Sequence, residues 1–158
     1  MSGFDSAQFR QVLGHFPTGV TVVAGASDDG PVGLTIGSFT SVSLDPPLVG
    51  FLPGKGSSSW PIMHRAGAFC VNILAADQGD LCWRFAREEA RFDGLTWQAA
   101  GSGSPIIDGV LAWIDCSVEE VVDAGDHWFV LGRVLSMEAR DGEPMLFFRG
   151  KLGSFVEG

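Results

Sequence analysis

Tyrosine is absent from all 158 positions, so no phenol is available as a general acid. Cysteine occurs three times, at Cys70, Cys82 and Cys116, without a CxxC or a Cys/His spacing. That count and scatter exclude a disulfide framework and a zinc site, and the three read as buried, reduced thiols. Charged residues make up only 18%, and the basic ones are scarcer still: 10 Lys and Arg against 19 Asp and Glu, a formal charge of −9. Nucleic acid, which proteins hold chiefly by neutralising phosphates, does not suit such a chain. No apolar run approaches the roughly 18 residues of a membrane span. The opening MSGFDSAQFRQ also lacks the basic-then-apolar pattern of a secretory signal. These absences predict a cytoplasmic protein with neither a nucleic-acid nor a membrane partner.

What is present is apolar: 46% of the residues, enough to exclude disorder and to fill the core of a single domain spanning residues 1–158. Phe9, Val12, Leu13 and Phe16 recur at helical spacing until Pro17. Val20–Val23 then starts a β-branched run, and Asp28-Asp29-Gly30 marks a hairpin turn. Residues 32–44 alternate small polar and apolar side chains up to Pro46-Pro47. Residues 48–52 and 69–74 read as short buried strands. The stretch between them, SSSWPIMHRAG, has a Ser cap, an early Pro61 and a closing Gly67, as a helix requires. A further helix is predicted over 76–87, with Leu81, Trp83 and Phe85 partly buried. Strands follow over 110–122, with their acids towards solvent, over 127–135 and over 145–148, with Gly101–Pro105 as a loop. Six or so strands with sparse helices predict a mainly antiparallel β-barrel with helices packed outside.

The familiar catalytic signatures fail. Gly101-Ser102-Gly103 lacks the strand-then-helix context of a dinucleotide fingerprint, and Pro53-Gly54-Lys55-Gly56-Ser57 lacks the Walker spacing. No Gly-x-Ser-x-Gly elbow occurs, and His15, His64 and His127 lie too far apart for a local metal motif. A chain this poor in reactive side chains leaves the hard step of any reaction to a cofactor.

Three segments remain, each with two readings. Thr35–Ser43 carries Ser38, Ser41 and Ser43 among glycines. It is either a Ser/Thr-rich edge strand or a surface on which a flat ligand meets the backbone. Lys55-Gly56-Ser57-Ser58-Ser59-Trp60-Pro61 is either an ordinary helix cap or an anion site built from N–H groups, hydroxyls and one cation. Gly125-Asp126-His127 is either a solvated turn or a contact for a ligand ring. Five of the ten basic residues lie between 55 and 91 with only four acids, a near-neutral island on an acidic chain where a phosphorylated ligand could settle.

In order along the chain, FRQVLGHFPTGVTVV, VGLTIGSFTSVSLDPPLV, KGSSSW, FCVNILAADQ, SPIIDGVLAWIDCSV, GDHWFVLGRV and LFFRGKLGSF resemble motifs of the flavin reductase-like family. The likeness covers residues 9–155. It implies an antiparallel split barrel with a few peripheral helices, binding FMN or FAD and oxidising NADH or NADPH. It further implies a homodimer that hands reduced flavin to a separate flavin-dependent monooxygenase. By position, Gly33, Leu34 and Thr35 with Ser38, Phe39, Thr40, Ser41 and Ser43 would line the isoalloxazine. Lys55, Gly56, Ser57, Ser58 and Ser59 would hold the flavin phosphate. Phe85, Arg87 and Arg91-Phe92 would approach the outer part of the flavin, in a loop slightly shorter than usual. His127, flanked by Gly125 and Asp126, would meet the nicotinamide, with no acid–base residue needed. A mean hydropathy of +0.22 and five tryptophans to cover fit a dimer interface. The alternative is a split barrel that stores or senses flavin without turnover.

Overall fold

The structure, a computed structural model, describes residue 3 and residues 5–87 and 92–158. Its elements run α1 (Ser6–Leu13), β1 (Thr18–Gly19), β2 (Thr21–Gly25), β3 (Val32–Ile36), β4 (Thr40–Ser43), β5 (Leu48–Phe51), α2 (Trp60–Ala66) and β6 (Ala68–Ile73). There follow α3 (Gly79–Arg87), β7 (Trp97–Ala99), β8 (Pro105–Ile107), β9 (Ala112–Ala124), β10 (His127–Ala139), β11 (Leu146–Phe148) and β12 (Lys151–Gly153).

Seven strands form one antiparallel sheet in the order β3-β2-β6-β9-β10-β5-β4. Its two edge strands, β3 and β4, are consecutive in the chain and joined only by Gly37-Ser38-Phe39. So short a link forces the sheet to curl until its edges face each other. The edges do not pair, and this leaves a barrel with a seam. The alternation over residues 32–44, predicted as one run, is therefore two strands at opposite ends of the sheet. Gly37 marks the break, where an added Cβ would sit 3.3 Å from Thr18 Oγ1.

Inside the curl, Phe51 meets Phe69 and Trp60 edge to face, at centroid distances of 4.9 and 5.7 Å. Val23, Met63, Val71 and Val130 fill the space around them. Each such side chain withdrawn from water contributes about 1.5–3 kcal/mol. A second cluster under α3 contains Val22, Leu74, Leu81, Phe85 and Ile107. On α3 the buried residues are Leu81, Cys82 and Phe85, which share a face at spacings of one and four. Trp83 falls off that face and is 41% exposed, contrary to the burial predicted for it. The three cysteines are free and buried, as expected. Burial, with Asp115 nearby, pushes the Cys116 thiol up to about 12 and raises Cys70 as well, so neither supplies a thiolate.

Asp115 corrects the reading that every acid of the 110–122 strand faces solvent. It is fully buried, and its carboxylate accepts from Ser102 Oγ at 2.6 Å and from Ser102 N at 3.0 Å. These bonds pin the 101–104 turn between β7 and β8 and offset the cost of burying the charge. Two cations of the near-neutral island, Arg65 and Arg84, are engaged locally. Arg65 borders a depression with Asp28 and Asp29, and Arg84 donates to the carbonyl of Asp93. Helix α1 has the predicted apolar stripe, yet Val12, Leu13 and, just beyond it, Phe16 are exposed. Among the described residues no helix is long and apolar enough to cross a membrane.

Candidate functional site

The seam of the barrel opens into a cleft of about 370 Å³. One wall is β3 and the link after it, from Leu34 to Ser38. The other is Leu52, Gly54 and Ser57 after β5, together with His127 at the start of β10, and α3 closes one end with Phe85 and Ala86. Four segments far apart in sequence thus meet at one place. As an edge strand, β3 leaves its outward backbone groups outside the sheet ladder. Ser38 ties the seam together: its hydroxyl donates to Leu52 O at 3.2 Å and accepts from Leu52 N at 3.1 Å. Gly37 and Ser38 also border a larger apolar groove of about 750 Å³, which includes Phe39 and Thr40.

Thr35 lines the cleft while donating its hydroxyl to Cys82 O at 2.6 Å, a bond that holds α3 against β3. Two predicted ligand residues lie behind the wall. Gly33 is buried, and a Cβ there would meet the Phe85 ring at 3.1 Å. Ser59 is buried and donates to Gly33 O at 3.2 Å. Both shape the wall from the inside, because α3 and the start of α2 pack over β3. Ser41 and Ser43 lie on β4, opposite Val49 and Leu48 of β5, outside the cleft.

The loop after β5 carries the helix cap that was one of its two readings, and it also reaches the cleft. Ser57 lines the cleft, and its hydroxyl accepts from the backbone N–H groups of Ser59 and Trp60, each at 3.2 Å. It therefore caps α2, a role the sequence assigns equally well to Ser59, whose own side chain makes no cap bond. Ser58 and Gly56 are exposed beside it. The Lys55 ammonium is engaged elsewhere: it donates to Asp123 Oδ1 at 2.7 Å and lies 4.4 Å from the centre of the Trp128 ring. Its hydrogen bond holds the Asp123 carboxyl below the ordinary carboxylate range.

His127 follows the tight turn at Gly125, whose φ of +72° suits glycine. Its Nδ1 lies 2.7 Å from Asp126 Oδ1, and this hydrogen bond holds the Asp126 carboxyl below its usual range. With Nδ1 turned to a carboxylate, the neutral ring carries its proton there and presents Nε2 as an acceptor. Gly54 leaves room for that edge, since a Cβ on it would lie 3.9 Å from Nε2. Arg87 is exposed at the end of α3, and Arg91 lies outside the described residues. Sequence reasoning did not assign Leu52, Gly54 or Ala86 to the site, and it included Ile36 and Gly37 only within the Thr35–Ser43 surface. Gly54 had a signal, a glycine directly after a buried strand and a proline, but it was weighed only as part of a phosphate-loop pattern.

A barrel split along one seam, with an open strand edge facing a hydroxyl-bearing loop and a histidine, defines a binder of flat, polar-edged ligands. A sequence model of the flavin reductase like domain matches residues 13–155. The chain is 51% identical to a flavin reductase of Pseudomonas putida, over 98% of this chain and 93% of that protein. It is 50% identical to HsaB, the reductase subunit of a flavin-dependent monooxygenase of Rhodococcus jostii, over 93% of this chain and 76% of the relative. The NADH-dependent FMN reductase SmoA of Agrobacterium fabrum shares 46% identity over 97% of this chain and 88% of its own. Among solved structures, nitrilotriacetate monooxygenase component B of Mycobacterium thermoresistibile superposes with a TM-score of 0.93 at 46% identity, covering 96% of this chain and 87% of that one. The NADH:FAD oxidoreductase SgcE6 of Streptomyces globisporus gives 0.93 at 36% identity, covering 99% and 97%. The chain belongs to the flavin reductase-like family.

Proposed function

We propose that this protein is an NADH-dependent flavin reductase that supplies reduced flavin to a separate monooxygenase component. The observation that carries the reading is the seam cleft, where Thr35, Ser38, Ser57, Phe85 and His127 converge from separate segments. Relatives named as reductases of FMN or FAD, and as subunits of flavin-dependent monooxygenases, support it.

The cleft fits a flavin on its own evidence. The outward edge of β3 offers backbone donors and acceptors to the polar rim of a ring system, and Gly54 leaves the space a side chain would fill. Leu34 to Thr35, with Ser38, would line the ring. Ser57 and Ser58 with the loop backbone would hold the phosphate, and Phe85, Arg87 and Arg91 would border the outer part. Bound there, the flavin supplies the hydride acceptor, and NADH supplies the hydride. The protein's own work is alignment of two flat rings and exclusion of water, which calls for no proton-transferring side chain. His127 would accept a hydrogen bond at Nε2 from the amide N–H of the nicotinamide and so fix its face. A nicotinamide dinucleotide without the extra 2′-phosphate on its adenosine ribose also suits a chain of formal charge −9.

Oxidation of NADH and of NADPH, followed near 340 nm with FMN, FAD and riboflavin in turn, tests the reading. Rapid oxidation of NADH that requires added flavin is the expected result. A protein that binds flavin and leaves NADH intact is a carrier, and one that binds neither has no enzymatic role of this kind.

The exposed Val12, Leu13 and Phe16 beside the apolar groove suit coverage by a second copy of the chain. Sedimentation equilibrium is expected to give twice the monomer mass. A purely monomeric protein at assay concentration would remove this part of the reading.

A further inference from the structure

The loop that follows β5 and the tip of the β9–β10 hairpin are bonded along their whole contact. Trp128 N donates to Pro53 O at 3.0 Å, Lys55 N donates to Asp126 O at 2.9 Å, and Gly54 bridges to His127 between them. The loop therefore extends β5 alongside β10. Two further contacts close this unit from the side. The Lys55 ammonium bonds Asp123 Oδ1 at 2.7 Å and lies 4.4 Å from the Trp128 ring centre. Asp123 is the last but one residue of β9, and its pairing partner across the hairpin is Trp128 itself. One cation thus grips both strands of the hairpin immediately next to the turn that carries His127.

We propose that Lys55 is a positioning residue for the nicotinamide-binding step, acting through the hairpin tip on His127 rather than as the anchor of the flavin phosphate. The inference rests on the reading that His127 meets the nicotinamide. The geometry favours the positioning role because Lys55 does not line the cleft, whereas Ser57, two residues on, does. The ammonium already has a carboxylate and an aromatic face as partners, so reaching a phosphate would require it to leave both. The pair is partly exposed, at 33% for Lys55 and 71% for Asp123, so its effect is modest. It is felt where orientation matters, because a small displacement of a ring-stacking contact is costly.

Five variants and two acceptors test this. Riboflavin has no phosphate, so any change seen with it cannot come from binding of a flavin phosphate. With riboflavin and with saturating FMN alike, Lys55→Met and Asp123→Asn are expected to raise the KM for NADH about two- to fivefold, as exposed ion pairs allow, with kcat little changed. Lys55→Arg, which keeps the cation, restores a KM near the unaltered protein's, and the Lys55→Met/Asp123→Asn double variant is no worse than the poorer single one. An unchanged KM for NADH in Lys55→Met, or a loss confined to the affinity for FMN, overturns the proposal and returns Lys55 to the phosphate. His127→Ala, run in parallel, separates the two readings. If it raises the KM and Lys55→Met does not, the positioning role alone fails. If neither changes it, both fall.

Discussion

Replacing His127 with alanine is expected to raise the KM for NADH about tenfold while the dissociation constant for FMN changes less than twofold, the size of one lost hydrogen bond to a positioned acceptor. The reasoning starts at the turn. Gly125 reverses the chain, Asp126 takes the Nδ1 side of the imidazole, and Nε2 is left facing the mouth of the cleft beside Gly54. Removing the ring deprives the nicotinamide of its acceptor but leaves Thr35, Ser38 and Ser57 in place for the flavin. The Asp126 carboxyl is lowered by its bond to His127, so the bond that orients the ring persists until acid protonates Asp126. Stopped-flow reduction with varied NADH separates the two affinities. Equal loss of both would mean that His127 supports the flavin site as a whole.

Gly132→Val is expected to destabilise the fold by about 3 kcal/mol and to lower the thermal midpoint by roughly 10 °C. Gly132 lies on β10 where the pairing with β9 slips by one residue. A Cβ there would come within 2.5 Å of Phe69 Cζ and 3.1 Å of Cys116 Cβ. Phe69 cannot retreat, because it is fully buried and packed edge to face on Phe51. Overpacking of a closed core has to be absorbed by the backbone, and here the backbone is the longest hairpin of the sheet. Differential scanning calorimetry reads the shift, and a midpoint within a degree of the unaltered protein's would show that this packing is wrong.

The residues that proved legible are those whose signal is local. Asp28-Asp29-Gly30 did mark a hairpin, Gly67 did end a helix in the left-handed conformation, and Gly125-Asp126 did turn β9 into β10. Thr35, Ser38, Ser57, Phe85 and His127 were all singled out from sequence, and the seam brings them together. What escaped depends on distance in sequence. Gly33, placed in the site by the family resemblance, and Ser59, placed there by its serine-rich loop, bond to each other behind the wall. Lys55 looked like a free cation beside three serines, but its partner, Asp123, is 68 positions away. Asp115 follows the alternation of a strand with one wet face. Its burial depends on Ser102, in a turn that composition marks only as a loop. The break at Gly37 is likewise invisible to periodicity, because two strands at opposite edges of a sheet keep the same alternation as one continuous strand.

The wall that faces Leu34 to Ser38 draws Leu52, Gly54 and Ser57 from nearby in the chain, but it is completed by His127 from the far β9–β10 hairpin. No partly folded chain lacking the β9–β10 hairpin can offer a complete cleft, since His127 enters it only from that hairpin, across a long loop closure. A flavin that recognises the cleft therefore recognises only the finished barrel. Its binding energy is added in full to the native state, so the melting temperature should climb with the logarithm of flavin concentration once the dissociation constant is exceeded.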